Sequence, residues 1–186
     1  FLFWANPSVH VDTTYQVIFP PSVQYVTQHA KREMTTWPIA DGNYNHFDYT
    51  NVDISKWKNV GVPSSFFSWK PKEDYFGGYD HGKQAGTAWI GNHHIMPGMK
   101  YWADGNNPAG RRINESLTDD SSQYIELMAG FYTDNQPDYS WIEPYESKEG
   151  KMIWFPIREL EGLKYANKNG ALNLELIDGT AKLRLN

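Results

Sequence analysis

The end of the chain constrains the fold most. Ala171-Leu-Asn-Leu-Glu-Leu-Ile177 and Thr180-Ala-Lys-Leu-Arg-Leu185 both alternate apolar and polar residues, and Asp178-Gly179 joins them. Alternation at period two is the pattern of a strand. Asp-Gly supplies the positive φ angles of a two-residue turn, so an antiparallel hairpin is expected. Leu172, Leu174 and Leu176 are expected to face the core with Leu183 and Leu185.

The same reading extends upstream. Tyr124-Ile-Glu-Leu-Met-Ala-Gly130 alternates, and Val11–Phe19, Val23–Val26 and Met152–Ile157 are compact strand-like runs. Pro20-Pro21 breaks the first two apart. Asp41-Gly42, Gly77-Gly78, Pro97-Gly98 and Asp104-Gly105 read as turns. Helical signals are poor; only Ile157–Ala166 offers a turn or two, with Gly162 against anything longer. These features predict one all-β domain, an antiparallel β-sandwich over residues 1–186. Opening on Phe1-Leu-Phe-Trp4 rather than Met predicts an excised segment whose preceding strands belong to a longer protein.

Composition narrows the partners. Eight Trp, twelve Tyr and nine Phe make the chain aromatic enough for a substantial core. A net charge of -5 with scattered basic residues speaks against nucleic acid and anionic membranes. No apolar run approaches the roughly 20 residues of a membrane span. The absence of cysteine removes disulfides, thiolate metal sites and Cys nucleophiles. It fits the bacterial cytoplasm and periplasm equally.

Candidate site residues cluster after the alternating strand. Glu126 shares a face with Tyr124 and Met128, so a carboxylate stands beside a ring and a thioether. Asp134, Asn135, Gln136 and Asp138 follow among Tyr132, Tyr139 and Trp141. Flat aromatic faces beside hydrogen-bonding groups suit a ligand covered in hydroxyls, and carbohydrate is the first to consider. Glu126 is the candidate general base, and His81 of Tyr79-Asp80-His81-Gly82 the candidate acid. Asp80 could orient a ligand or His81; it could equally be a turn former. Trp102 and Trp141 are the candidate stacking platforms. His29 draws interest because it follows a strand-like run. His93-His94 resembles a metal pair, but strand neighbours point to opposite faces, so a His-based metal site is not expected; a Ca²⁺ site of Asp, Asn and backbone oxygens stays open, since it carries little spacing signal, and no cofactor is expected. Asn114-Glu-Ser116 fits a glycosylation sequon, which has weight only in a secretory context.

A resemblance can be added to these residues. The order Ile18-Phe-Pro-Pro21, Tyr79-Asp-His81, Pro97-Gly-Met-Lys-Tyr-Trp102, Leu117-Thr-Asp119, Tyr124-Ile-Glu-Leu-Met-Ala-Gly130, Tyr132-Thr-Asp-Asn-Gln-Pro-Asp138 and Trp154-Phe-Pro-Ile157 resembles an uncharacterised bacterial domain family. That family is of the galactose-mutarotase-like, or supersandwich, class. Its members often precede tetratricopeptide repeats, many of them in Bacteroidetes. The resemblance implies a concave sheet face that recognises sugar within a larger carbohydrate-active protein. It implies Glu/His acid-base chemistry as one version, with Glu126 and His81 in those roles on residue type alone. In that version Asp80, Trp102, Asp134, Gln136, Asp138 and Trp141 contact the sugar. The alternative is a non-catalytic glycan-binding or scaffolding module that touches other domains of its parent.

Overall fold

The computed structural model describes residues 1–186 and is all-β, with antiparallel sheets stacked in layers. The largest sheet has seven strands. Tyr124–Phe131 lies near one side and pairs with both Phe3–Ala5 and Ser8–His10 along its length. Beyond it come Gly98–Ala103, Ser64–Ser68, Tyr25–Thr27 and Met34–Thr36. The second sheet has four strands in the order Met152–Arg158, Ala85–Gly91, Tyr75–Asp80 and Tyr15–Ile18.

Strand parity decides what lies between them. From the large sheet, Phe66, Met99, Tyr101, Ala103, Ile125, Leu127 and Ala129 point inward; from the second sheet, Tyr15, Val17, Phe76 and Trp89 meet them. Trp89 is fully buried, with Phe76 at 5.1 Å and Trp154 at 6.4 Å between ring centroids. Each such ring contributes roughly 1.5–3 kcal/mol through burial alone. The second sheet is covered on its other face too. Tyr75, Tyr79, Ala88 and Ile157 pack there against Leu160, Leu163, Ala166 and Ala171 of the C-terminal segment. The Tyr79 hydroxyl accepts from the Leu160 and Glu161 amides at 3.1 and 3.0 Å, fastening that third layer.

Several expectations hold. The terminal hairpin forms as Gly170–Ile177 and Thr180–Leu185, with Ile177 opposite Thr180 and positive φ at Asp178 and Gly179. Others require correction. The hairpin buries Ala171 and Asn173 rather than its leucines, because the Asn173 amide donates to Leu160 O at 2.9 Å and so fixes the parity. The leucine face therefore points outward: Leu174, Leu176, Leu183 and Leu185 are 46, 79, 56 and 72% exposed. Gly77-Gly78 is not a turn but the middle of a buried strand. A Cβ on Gly77 would stand 2.2 Å from the Thr87 carbonyl oxygen, and one on Gly78 would meet the Tyr15 hydroxyl at the same distance. These glycines are there for close approach. Of Val11–Phe19, only Tyr15–Ile18 is strand. Ile157–Ala166 forms no helix; the helix is Pro108–Leu117, capped by Asn107 Oδ1 accepting from Gly110 N at 2.8 Å.

Candidate functional site

Because one face of the seven-stranded sheet is spent on the core, the alternate residues of the same strands form its outer face. Lys100 and Trp102 stand there, between Phe67 and Ser65 on one neighbouring strand and Met128 and Glu126 on the other. Lys100 is opposite Met128 and Trp102 is opposite Glu126, so Lys100 and Glu126 are diagonal neighbours on one pleated surface. Trp102 and Glu126 are half-buried, whereas Lys100 is only 4% exposed.

Two segments fold onto this face. The short 3₁₀ turn His29–Lys31 follows the strand Tyr25–Thr27. The loop 133–138 follows Tyr124–Phe131. Asn135 locks the two together: its Oδ1 accepts from Ala30 N at 2.7 Å, and its Nδ2 donates to Gln28 O at 2.9 Å. Gln136 Oε1 then reaches inward to accept from Lys100 Nζ at 2.9 Å and lies 3.2 Å from His29 Nε2. On the other side of the ring, Ser65 Oγ is 3.0 Å from His29 Nδ1. One assignment satisfies all of these groups: Ser65 donates to Nδ1, and Nε2–H donates to Gln136. Burial, with Lys100 close by, lowers the His29 pKa against the opposing effect of Gln136, so the ring is neutral at pH 7.

Lys100 is the most perturbed cation of the chain. Burial depresses its pKa to about 8, and the Glu126 charge only partly offsets this. Its ammonium takes part in none of the salt bridges. The Phe67 and Trp102 rings lie 5.0 and 5.7 Å from Nζ, a cation–π arrangement.

The outer rim of the same loop makes a second feature. Asp134 and Asp138 both accept from Lys31 Nζ, at 2.8 and 3.0 Å. They line an open cleft of about 790 Å³ with Tyr132, Tyr139, Trp141 and Lys70. Trp141 is 81% exposed. Each aspartate uses one oxygen on Lys31, which leaves the other to accept from a ligand.

The structure thus brings together Glu126, Trp102 and Gln136 on the sheet face, and Asp134, Asp138 and Trp141 at its rim. It does not bring His81 to them. His81 sits at the end of Tyr75–Asp80 in the other sheet, with Nε2 3.0 Å from Gln16 Oε1, and lines a separate cavity of about 500 Å³. Asp80 is a turn former: Oδ1 accepts from Thr14 Oγ1, Gly82 N and Lys83 N at 2.7 to 2.9 Å, on the second sheet and away from Glu126. His93 and His94 lie in a turn, not a strand, so their rings pack 3.9 Å apart instead of diverging. His93 Nδ1 is 2.7 Å from Asp74. Asn114 is buried, donating to Asp104 at 2.7 Å and accepting from Tyr124 N at 2.8 Å, which closes the sequon to modification in the folded chain. Sequence reasoning missed Lys100, although alternation along 98–103 already sets it beside Trp102.

The fold has a counterpart among solved structures. A TPR-domain containing protein from Parabacteroides distasonis ATCC 8503 superposes with a TM-score of 0.62 at 18% identity over 83% of this chain. The chain spans about a quarter of that protein, 24% of its length. At that identity the likeness is one of fold. A family model described as "Domain of unknown function (DUF5107)" matches residues 1–157, which takes in both large sheets and the whole candidate site. The chain belongs to that family.

Proposed function

We propose that the outer face of the seven-stranded sheet recognises carbohydrate, in the manner of a galactose-mutarotase-like sandwich within a larger carbohydrate-active protein. One observation carries this reading. A single loop, 133–138, supplies Asp134 and Asp138 to an aromatic cleft and Gln136 to the polar centre beside Glu126 and Trp102. Exposed rings next to fixed carboxylate and amide groups match a ligand that presents both C–H faces and hydroxyls. Trp141 and Trp102 stack on the sugar, Asp134, Asp138 and Gln136 take its hydroxyls, and Glu126 is the group placed for base chemistry.

A glycan-array and monosaccharide screen on the protein tests this. Trp141→Ala is expected to weaken binding tenfold or more, the loss of roughly 1.4 kcal/mol or more. The side chain is so exposed that stability should stay within about 0.5 kcal/mol of wild type. Glu126→Gln should retain binding, and any turnover of the bound sugar should disappear with it. Failure of every sugar to bind would overturn the reading. It would then favour the alternative of a scaffolding module, for which the uncovered leucines of the terminal hairpin argue independently.

A further inference from the structure

The Asp134 cleft does not end at its own wall. Tyr132 also lines a second cavity, of about 520 Å³, and the chain neighbours Trp141 and Ile142 divide between the two. The second cavity is built differently. Phe1, Phe3, Phe131 and Ile142 line it with Tyr132, and Phe1, Phe3 and Ile142 are 39, 53 and 44% exposed. Register explains the cluster, because Phe3 stands directly opposite Phe131 on the large sheet, with ring centroids 5.3 Å apart. Phe1 meets Tyr132 edge-on at 6.0 Å. The polar groups among these rings are engaged. Tyr132 Oη donates to Glu149 O at 2.8 Å, and Lys148 Nζ lies 3.6 Å from Glu146 and 5.1 Å from the Tyr132 ring centroid. Of the charged side chains lining the cavity, only Glu149 has no partner, and it is exposed.

A second sugar unit lodged on these rings would lose hydrogen bonds from its hydroxyls to water and gain few in return, whereas an apolar group gains by burial. The one unpaired charge is negative, which disfavours an anionic group in the same place. Tyr132 itself is held at φ 61°, a left-handed backbone that bulky L residues avoid, with its amide donating to Ile95 O at 2.7 Å. Such strain collects at ligand-contacting positions, and here it sets one ring on the border of both cavities. We propose that the ligand of this site is a glycoside with a neutral apolar aglycone, aryl or alkyl. Its sugar lies in the cleft of Asp134, Asp138 and Trp141, and its aglycone crosses Tyr132 onto Phe3, Phe131 and Ile142.

The proposal rests on the carbohydrate reading for its sugar half alone. Methyl, phenyl and octyl glycosides of glucose, galactose, mannose and N-acetylglucosamine are titrated into wild type, Phe3→Ala, Ile142→Ala and Trp141→Ala, with the octyl glycosides kept below micelle formation. For at least one sugar, the phenyl and octyl glycosides are expected to bind about tenfold or more tighter than the methyl glycoside. Phe3→Ala and Ile142→Ala should each cut that ratio to roughly threefold or less. Trp141→Ala should weaken all three glycosides and leave the ratio in place. Phenyl and octyl glycosides that bind no tighter than a methyl glycoside that does bind would overturn the proposal. The carbohydrate reading would then stand, and the phenylalanine cavity would be a surface for a neighbouring protein to cover. Phenyl and octyl binding that Phe3→Ala abolishes, but that Trp141→Ala and the choice of sugar leave unaltered, would uphold the apolar subsite and count against the carbohydrate reading. Binding by none of the glycosides would overturn both.

Discussion

Gly77→Ala is expected to be among the most destabilising single-methyl changes this chain can undergo. The added carbon would stand 2.2 Å from the carbonyl oxygen of Thr87 and 3.2 Å from the Ala88 Cα. Both are backbone atoms of the central strand Ala85–Gly91, held by ladders on either side. No rotamer change relieves such a clash; the strands must separate. Overpacking of well-packed interiors costs typically about 1–3 kcal/mol, and a contact with ladder backbone belongs at or above the top of that range. Gly42→Ala is the control, because a Cβ there meets nothing within 4 Å. It should be neutral or stabilise by a few tenths of a kcal/mol through the unfolded chain, roughly as Gly-to-Ala changes do at compatible sites. Urea midpoints at constant slope measure both. A Gly77→Ala variant as stable as Gly42→Ala would contradict the packing described.

The second large effect has the opposite sign. Lys100→Met should stabilise the protein at pH 7 by about 2 kcal/mol. The lysine is protonated in the unfolded chain up to its ordinary 10.5, whereas burial, only partly countered by Glu126, brings the folded value to about 8. A folded value below the unfolded one means that burying the charge opposes folding at every pH below 8. The opposition is relieved as pH rises from 8 toward 10.5, because the folded state sheds a proton that the unfolded chain keeps. A gap of that size corresponds to about 3 kcal/mol, from which about 1 is subtracted for the hydrogen bond to Gln136 that methionine cannot make. The groups facing Lys100 are Glu126 from the adjacent strand and His29 from the 3₁₀ turn; burial keeps the latter neutral well before pH 8. Wild-type stability should therefore climb between pH 8 and 10, and the variant should lack that climb. Above pH 10 both should weaken. Burial pushes Tyr75 up to about 12 and Tyr15, Tyr44 and Tyr101 higher still, so the unfolded phenols ionise first. Unfolding curves at pH 7, 9 and 10 check this, and equal pH dependence in the two proteins would refute it. A position where evolution tolerates such a cost is one where function is the natural explanation.

Much of the fold was legible because period two is a local signal. The strand Tyr124–Phe131 and the Asp178-Gly179 hairpin are read directly from alternation and one turn dipeptide, and Met152–Arg158 from its compact apolar run. Which face of the hairpin is buried was not legible. Leu172, Leu174 and Leu176 carry the apolar signal, yet one long-range bond from Asn173 to Leu160 sets the opposite parity. Gly77-Gly78 misled for a related reason, since a turn and a close strand crossing both call for glycine. The helix Pro108–Leu117 did announce itself through Asn107 and Pro108, the preferred cap and first-turn residues, but its polar composition hid it. For the site, the rim residues Asp134, Asp138 and Trp141 were found because they crowd one stretch of sequence. Ser65, His29 and Lys100 come from three separate segments and meet only through sheet pairing and the Asn135 lock. That is also why the sequence reading paired His81 with Glu126, although the structure sets the two on different sheets.

The most direct test of the central claim is where a sugar lands. Trp indole N–H and Met methyl NMR signals can be followed while a sugar that binds in the screen is titrated into the labelled protein. The account predicts that the Trp102 and Trp141 indoles and the Met128 methyl shift together, while core Trp57 and Trp89 stay fixed. Shifts confined to Trp37, which lines the cavity around His81, would place the ligand on the wrong sheet and contradict it.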